Sequence, residues 1–151
     1  MQWPELVTVD GVVLPDGGVE PDMGSPPASL AGHLIEALRP DRGLHYFASW
    51  AGYAMEISEP YVPFSPHRRE MVLYSGPLID EEGSPLVPTT ATGRVPMYWW
   101  PQDLRWLVGQ DVYARSLIVG CTQTAARTIL ESDQLDAYPV TSSDDILNEE
   151  F

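Results

Sequence analysis

Apolar positions in this chain fall into short alternating runs more often than into helical stripes. The stretch from Leu6 to Val19 places Val7, Val9, Val12 and Val13 around Asp10-Gly11. Two β-rich runs split by an Asp-Gly pair predict a hairpin that turns at that pair. Pro15-Asp16-Gly17-Gly18 ends the second run, and residues 20–27 are Pro-rich, polar and expected as loop.

The period then changes. Leu30, Leu34, Ile35 and Leu38 make one stripe at helical spacing. Ser29 is the expected N-cap, Pro40 the stop, and Arg39 lies at the negative end of the dipole. His33 sits beside the stripe. Residues 44–50 are rich in aromatics and predict a strand, with His45 facing away from Tyr46 toward solvent. A second short strand is expected over 54–57. Pro60, Pro63 and Pro66 predict extended loop, residues 70–75 a strand, and 79–96 a long loop.

Leu104, Trp106 and Val108 alternate with Asp103, Arg105 and Leu107, which predicts one strand with an aromatic face. Residues 115–119 read as a strand ended by Gly120. Thr122 opens a second helix through Ala125, Ala126, Ile129 and Leu130. Residues 135–140 read as a last strand or an extended tail. Strands come in runs and do not alternate with helices. The expected class is therefore α+β: a single domain over 1–151, mainly antiparallel sheet with two helices and long Pro/Gly-rich loops.

Charge changes the picture more than size does. The chain of 151 residues carries a formal charge of −14, and its eight basic residues are all Arg. Residues 1–28, an acidic hairpin and loop, hold five acids and no Arg. Residues 132–151 hold six acids and no Arg, and within them 141–151 read as an acidic tail. The ends thus contribute 11 of the 14 net charges. No Lys/Arg cluster is available for phosphate or anionic lipid, so neither nucleic acid nor membrane is an expected partner. A basic protein is. The first ten residues lack a positive n-region and a long apolar h-region, so no signal peptide is expected and the location reads as cytoplasmic.

Candidate chemistry is sparse. His33, His45 and His67 have no local ligand spacing, so no metal is expected. Cys121 precedes a helix, the placement of some activated thiols, but it reads more simply as a small buried residue at a tight joint. No nucleophile elbow, phosphate loop or dinucleotide fingerprint occurs, so no catalytic residue and no cofactor are expected. Asp80-Glu81-Glu82 and Asp144-Asp145 read as solvated charge. Arg68-Arg69 reads as pairing with nearby acids. The densest feature is aromatic: Tyr98, Trp99, Trp100, Trp106 and Tyr113 fall within 16 residues, with Arg105 and Arg115 among them. Such a cluster fits either a core or a binding hot spot.

Trp99-Trp100-Pro101-Gln102-Asp103-x-x-Trp106, then Val119-Gly120, then Leu135-Asp136-Ala137-Tyr138-Pro139-Val140 resembles a family of uncharacterised actinobacterial proteins. Its members carry Trp-Trp-Pro-x-Asp-Arg-x-Trp, a Val-Gly-Gly turn, a helix and Leu-Glu-Ala-Trp-Pro. The resemblance covers roughly residues 69–140, including Leu73-Tyr74-Ser75-Gly76-Pro77-Leu78. This chain has Leu104, Cys121 and Tyr113 where the family has Arg, Gly and Asp. The resemblance implies a soluble intracellular protein and no particular activity.

Together these readings point to a small acidic binding protein, of an immunity or inhibitor type, that neutralises a basic protein. The expected binding residues are Tyr98, Trp99, Trp100, Arg105, Tyr113, Arg115, Asp144 and Asp145. Two alternatives stand beside it. One is a small-molecule or enzymatic cleft lined by Trp100, Arg105, Asp111 and His45. The other is a structural subunit that assembles through a strand edge.

Overall fold

The computed structural model describes residues 4–14, 17–19, 26–50, 61–64, 69–89, 94–110, 116–141 and 143. The elements run β1 (Glu5–Leu14), β2 (Gly17–Val19), α1 (Ala28–Leu38), β3 (His45–Trp50), β4 (Tyr61–Phe64) and β5 (Arg69–Gly76). Then come β6 (Tyr98–Pro101), β7 (Leu107–Gly109), β8 (Leu117–Cys121), α2 (Gln123–Leu130) and β9 (Leu135–Val140). The nine strands among the described residues form one sheet in the order β2-β1-β8-β7-β6-β3-β5-β4, with β9 on β1. Its strand pairs are antiparallel. This is the expected α+β class.

Local chemistry explains the helix boundaries. α1 buries Leu30, Leu34, Ile35 and Leu38, the stripe read from the sequence. It starts one residue before the expected cap: Pro27 is the N-cap, no side chain caps it, and Ser29 lies exposed inside the helix. Proline suits this edge because its fixed φ costs nothing there. Arg39 ends the helix in the left-handed region at φ 49, its N–H donating to the Ile35 carbonyl at 3.1 Å. At α2 the expected cap holds: the Thr122 hydroxyl accepts from the Ala125 N–H at 3.2 Å.

Several strands differ from the sequence reading. β1 is continuous through Asp10-Gly11, and its register against β9 shifts between Val9 and Gly11. The pair makes a bulge, not a turn, and the chain reverses after Leu14, which pairs with Gly17. Pro63 lies inside a strand, not in a loop. β4 is the outermost strand, where a missing N–H removes no bond from a sheet interior. The single strand expected over 103–108 is a hairpin. Leu104 is exposed at φ 57 and donates its N–H to the Pro101 carbonyl at 3.0 Å, which turns β6 into β7. β8 continues through Gly120 to Cys121, and residues 135–140 are a paired strand, not a tail. In the loop after β5, Asp80 accepts from the N–H groups of Glu82 and Ser84, both at 2.9 Å. Leu78 and Val95 anchor its ends in the core. The strand expected over 54–57 lies outside the described residues.

Alternation sorts the sheet into two faces. On one, Val7, Val9, Phe47, Trp99, Val108, Leu117, Val119 and Cys121 pack with both helices into the main core. On the other, Ala48, Met71 and Met97 form a smaller cluster with Trp50, Leu73, Tyr98 and Trp100 against it, and no helix residue joins them. Among the described residues, then, both helices lie on one side of the sheet and none on the other.

Candidate functional site

Two places carry chemistry. The first is the face away from the helices. Cross-strand register aligns Tyr46 with Trp100 and Ala48 with Tyr98. The Tyr46 and Trp100 rings stack with centroids 6.2 Å apart at 27°, and both are half-buried. Beside them Tyr98 lies over Gly109, its cross-strand partner. A Cβ on Gly109 would come within 2.9 Å of the Tyr98 ring, so glycine is what lets the ring lie there. Next to Tyr98 a cavity of about 250 Å³ is lined by Leu6, Leu107, Ile118 and Gly120. Further along β1 and β8, the Ser116 hydroxyl donates to Asp10 at 2.6 Å. The Tyr138 hydroxyl also bonds Asp10, and that bond holds its pKa above the ordinary value. The face is therefore aromatic at its centre and carries a carboxylate toward one end.

The second place is the β6–β7 turn. Arg105 pairs with Asp41 at 3.1 Å and Asp103 at 3.8 Å. A pocket of about 240 Å³ is lined there by Asp41, Gly43, Leu44, Pro101, Gln102 and Asp103. His45 adjoins it, as the chain neighbour of Leu44 and the cross-strand partner of Pro101, both of which line the pocket. The sequence reading put His45 in solvent; it does face away from Tyr46, but toward the helix side, and its side chain is fully buried. It stacks on Trp106 with centroids 5.8 Å apart at 23°. Neither ring nitrogen makes a hydrogen bond of good geometry among the described residues, although the Gly43 backbone lies near enough to favour the protonated ring. Burial pushes the imidazole below its ordinary pKa, against the pull of Asp41 and Gly43, and Arg105 adds to the lowering.

The expected binding residues separate accordingly. Tyr98 and Trp100 share the helix-free face. Trp99 points the other way, fully buried in the main core and edge-on to Trp106 at 6.0 Å, so it has no surface to offer a partner. Arg105 is exposed at the turn, away from the aromatic face. Tyr113, Arg115, Asp144 and Asp145 lie outside the described residues. The alternative cleft does not assemble as expected: His45 and Arg105 are neighbours, Trp100 is on the opposite face, and Asp111 lies outside the described residues. Sequence reasoning missed Tyr46, Asp10 with Ser116, and Tyr138. Only strand register unites them, and one sequence does not print register.

Cys121 is fully buried, and burial with the Glu5 charge raises its thiol to about 11. That is the opposite of an activated nucleophile. Among the described residues no group of three or more His, Cys, Asp or Glu side chains could hold a metal ion. No helix among them is long and apolar enough to cross a membrane. Comparisons with protein-family models, with curated proteins and with solved structures find no match for this chain.

Proposed function

We propose that this chain is a small acidic binding protein of the immunity or inhibitor type. In this reading it engages a more basic protein through the helix-free face of the sheet. The observation that carries the reading is the stacked Tyr46–Trp100 pair beside Tyr98 on that face, in a chain of net charge −14. Aromatic faces attract Arg and Lys side chains, and a net negative field speeds the encounter with a basic surface. Aromatic anchors then supply most of the affinity. The acidic tail, including Asp144 and Asp145, adds to the steering. A cytoplasmic location belongs to the same reading, with Cys121 a reduced packing residue.

Assembly through a strand edge has weaker support, because two of the outer strands carry proline, Pro63 in β4 and Pro139 in β9, and the third, β2, is only three residues long. Edge prolines are a device against strand addition.

The test is affinity capture from the source cell at low and at moderate salt, with the wild-type chain and Trp100→Ala side by side. A basic protein held by the wild type, weakened by salt and lost with Trp100→Ala supports the reading. Recovery of no protein at either salt, or equal recovery by both chains, overturns it.

A further inference from the structure

We propose that His45 is an acid-sensitive latch: neutral, it stays stacked on Trp106 beneath the 41–44 loop; protonated, it leaves that stack for the Asp41 and Asp103 carboxylates and frees the β6–β7 turn.

The geometry favours two positions of the ring. In the observed one the imidazole is fully buried with both nitrogens unbonded, and Trp106 supplies the contact. A neutral ring tolerates this at the expense of unmade hydrogen bonds. A cation there would lack the pairing that buried charge requires. The remedy is close. The residues lining the pocket above include its chain neighbour Leu44, its cross-strand partner Pro101, and both carboxylates. Asp41, Asp103 and Arg105 are the charged groups that act on the ring. On the sheet side β5 sets Gly76 opposite His45 and β6 sets Pro101 there, neither of them ionisable.

The Gly43 N–H donates to Asp41 Oδ1 at 2.8 Å, and the exposed ion pairs that Arg105 adds to the Asp41 and Asp103 carboxylates are worth little. A histidinium competing for Asp41 therefore displaces a weak contact. Movement of the ring takes away the platform under Trp106, the last residue before β7. The 41–44 loop and the β6–β7 turn then open together, while the strands on either side keep their pairing.

Tryptophan emission tests this, because a ring that leaves the stack uncovers the Trp106 indole to water and shifts its emission to longer wavelength, whereas an imidazolium that stays stacked quenches the indole without that shift and would overturn the latch. Trp106 is one of five tryptophans, so the expected change is a red shift of part of the total emission. It should follow a single-proton step with its midpoint below the ordinary histidine value of 6.5. Far-UV circular dichroism should stay constant through that step. Trp106→Phe should lose the emission step while the His45 ring still titrates by NMR, and His45→Gln should lose it altogether. An unchanged step in His45→Gln would assign it to other groups and overturn the proposal. So would loss of circular dichroism in the same step, which means global unfolding. If His45→Gln does not fold, the wild-type ring resonances decide: titration at or above 6.5 refutes the latch.

Discussion

Replacing Gly109 with Ala should destabilise the domain only while Tyr98 is present. The two residues are cross-strand partners, and an added Cβ would meet two atoms of the Tyr98 ring at 2.9 Å. The ring cannot simply turn away, because it packs against the smaller cluster of Ala48, Met71 and Met97. Overpacking of this kind costs about 1–3 kcal/mol. A strand alanine otherwise gains roughly 0.5–1 kcal/mol over glycine by restricting the unfolded chain. The net expectation is a loss of about 1–2 kcal/mol, or roughly 2–8 °C in Tm for a chain this size. In a Tyr98→Ala background the clash disappears and the same change should become neutral or stabilising. Urea unfolding of the four chains of this cycle gives the coupling directly. A Gly109→Ala chain as stable as the wild type would refute the argument. So would an equal loss in both backgrounds, since the cause would then not be the Tyr98 ring.

Three further outcomes follow from other parts of the fold. Thr122→Ala removes the only side-chain cap of a short helix, and chemical denaturation should show a loss of about 1 kcal/mol. Cys121 should resist a thiol reagent at mild alkaline pH until the chain unfolds. Its thiol rises from 9.0 unfolded to about 11 folded, so the native state holds the proton longer and stability falls as pH rises through that window. At about 1.4 kcal/mol per unit the contribution is of the order of 3 kcal/mol, and the fall should flatten in Cys121→Ala. Deleting residues 141–151 should leave the melting temperature nearly unchanged, because β9 ends at Val140. The same deletion removes Asp144, Asp145, Glu149 and Glu150 and should slow association with a basic partner, read as a lower on-rate at low salt.

The helices were legible because their signals are local. Leu30, Leu34, Ile35 and Leu38 can share a face only at helical period, and Thr122 caps within three residues of itself. The class of fold was legible because strand-like runs follow one another. The misread elements share a different cause. Pro63 and Asp10-Gly11 carry turn chemistry, yet tertiary position reassigns each: an outermost strand tolerates the proline, and a second partner, β9, absorbs the extra residue as a bulge. Leu104 gave no sign of a turn at all. Its backbone sits in a region leucine seldom occupies, and the turn is held by the Pro101 carbonyl and by Asp103, which accepts from the Arg105 N–H at 3.2 Å.

The candidate site was only half legible, and the reason is one of parity. Alternation in β3 and β6 places Tyr46 opposite His45 and Trp99 opposite Trp100, but it does not say which set meets the helices. In a strand with one polar face the answer is plain. Here both faces are apolar or aromatic, so the choice falls to packing: the helices supply Leu30, Leu34 and Ile35, and Phe47 and Trp99 fill the space beneath them. His45 is carried inward by Phe47, two residues on, and not by any preference of its own. The same step turns Tyr46, Tyr98 and Trp100 to the other side as a group. A buried histidine without hydrogen bonds and an aromatic face without a helix are thus two consequences of one choice of strand parity. That linkage makes the acid-sensitive and the partner-binding readings separable by experiment, since Trp100→Ala changes one face and His45→Gln the other.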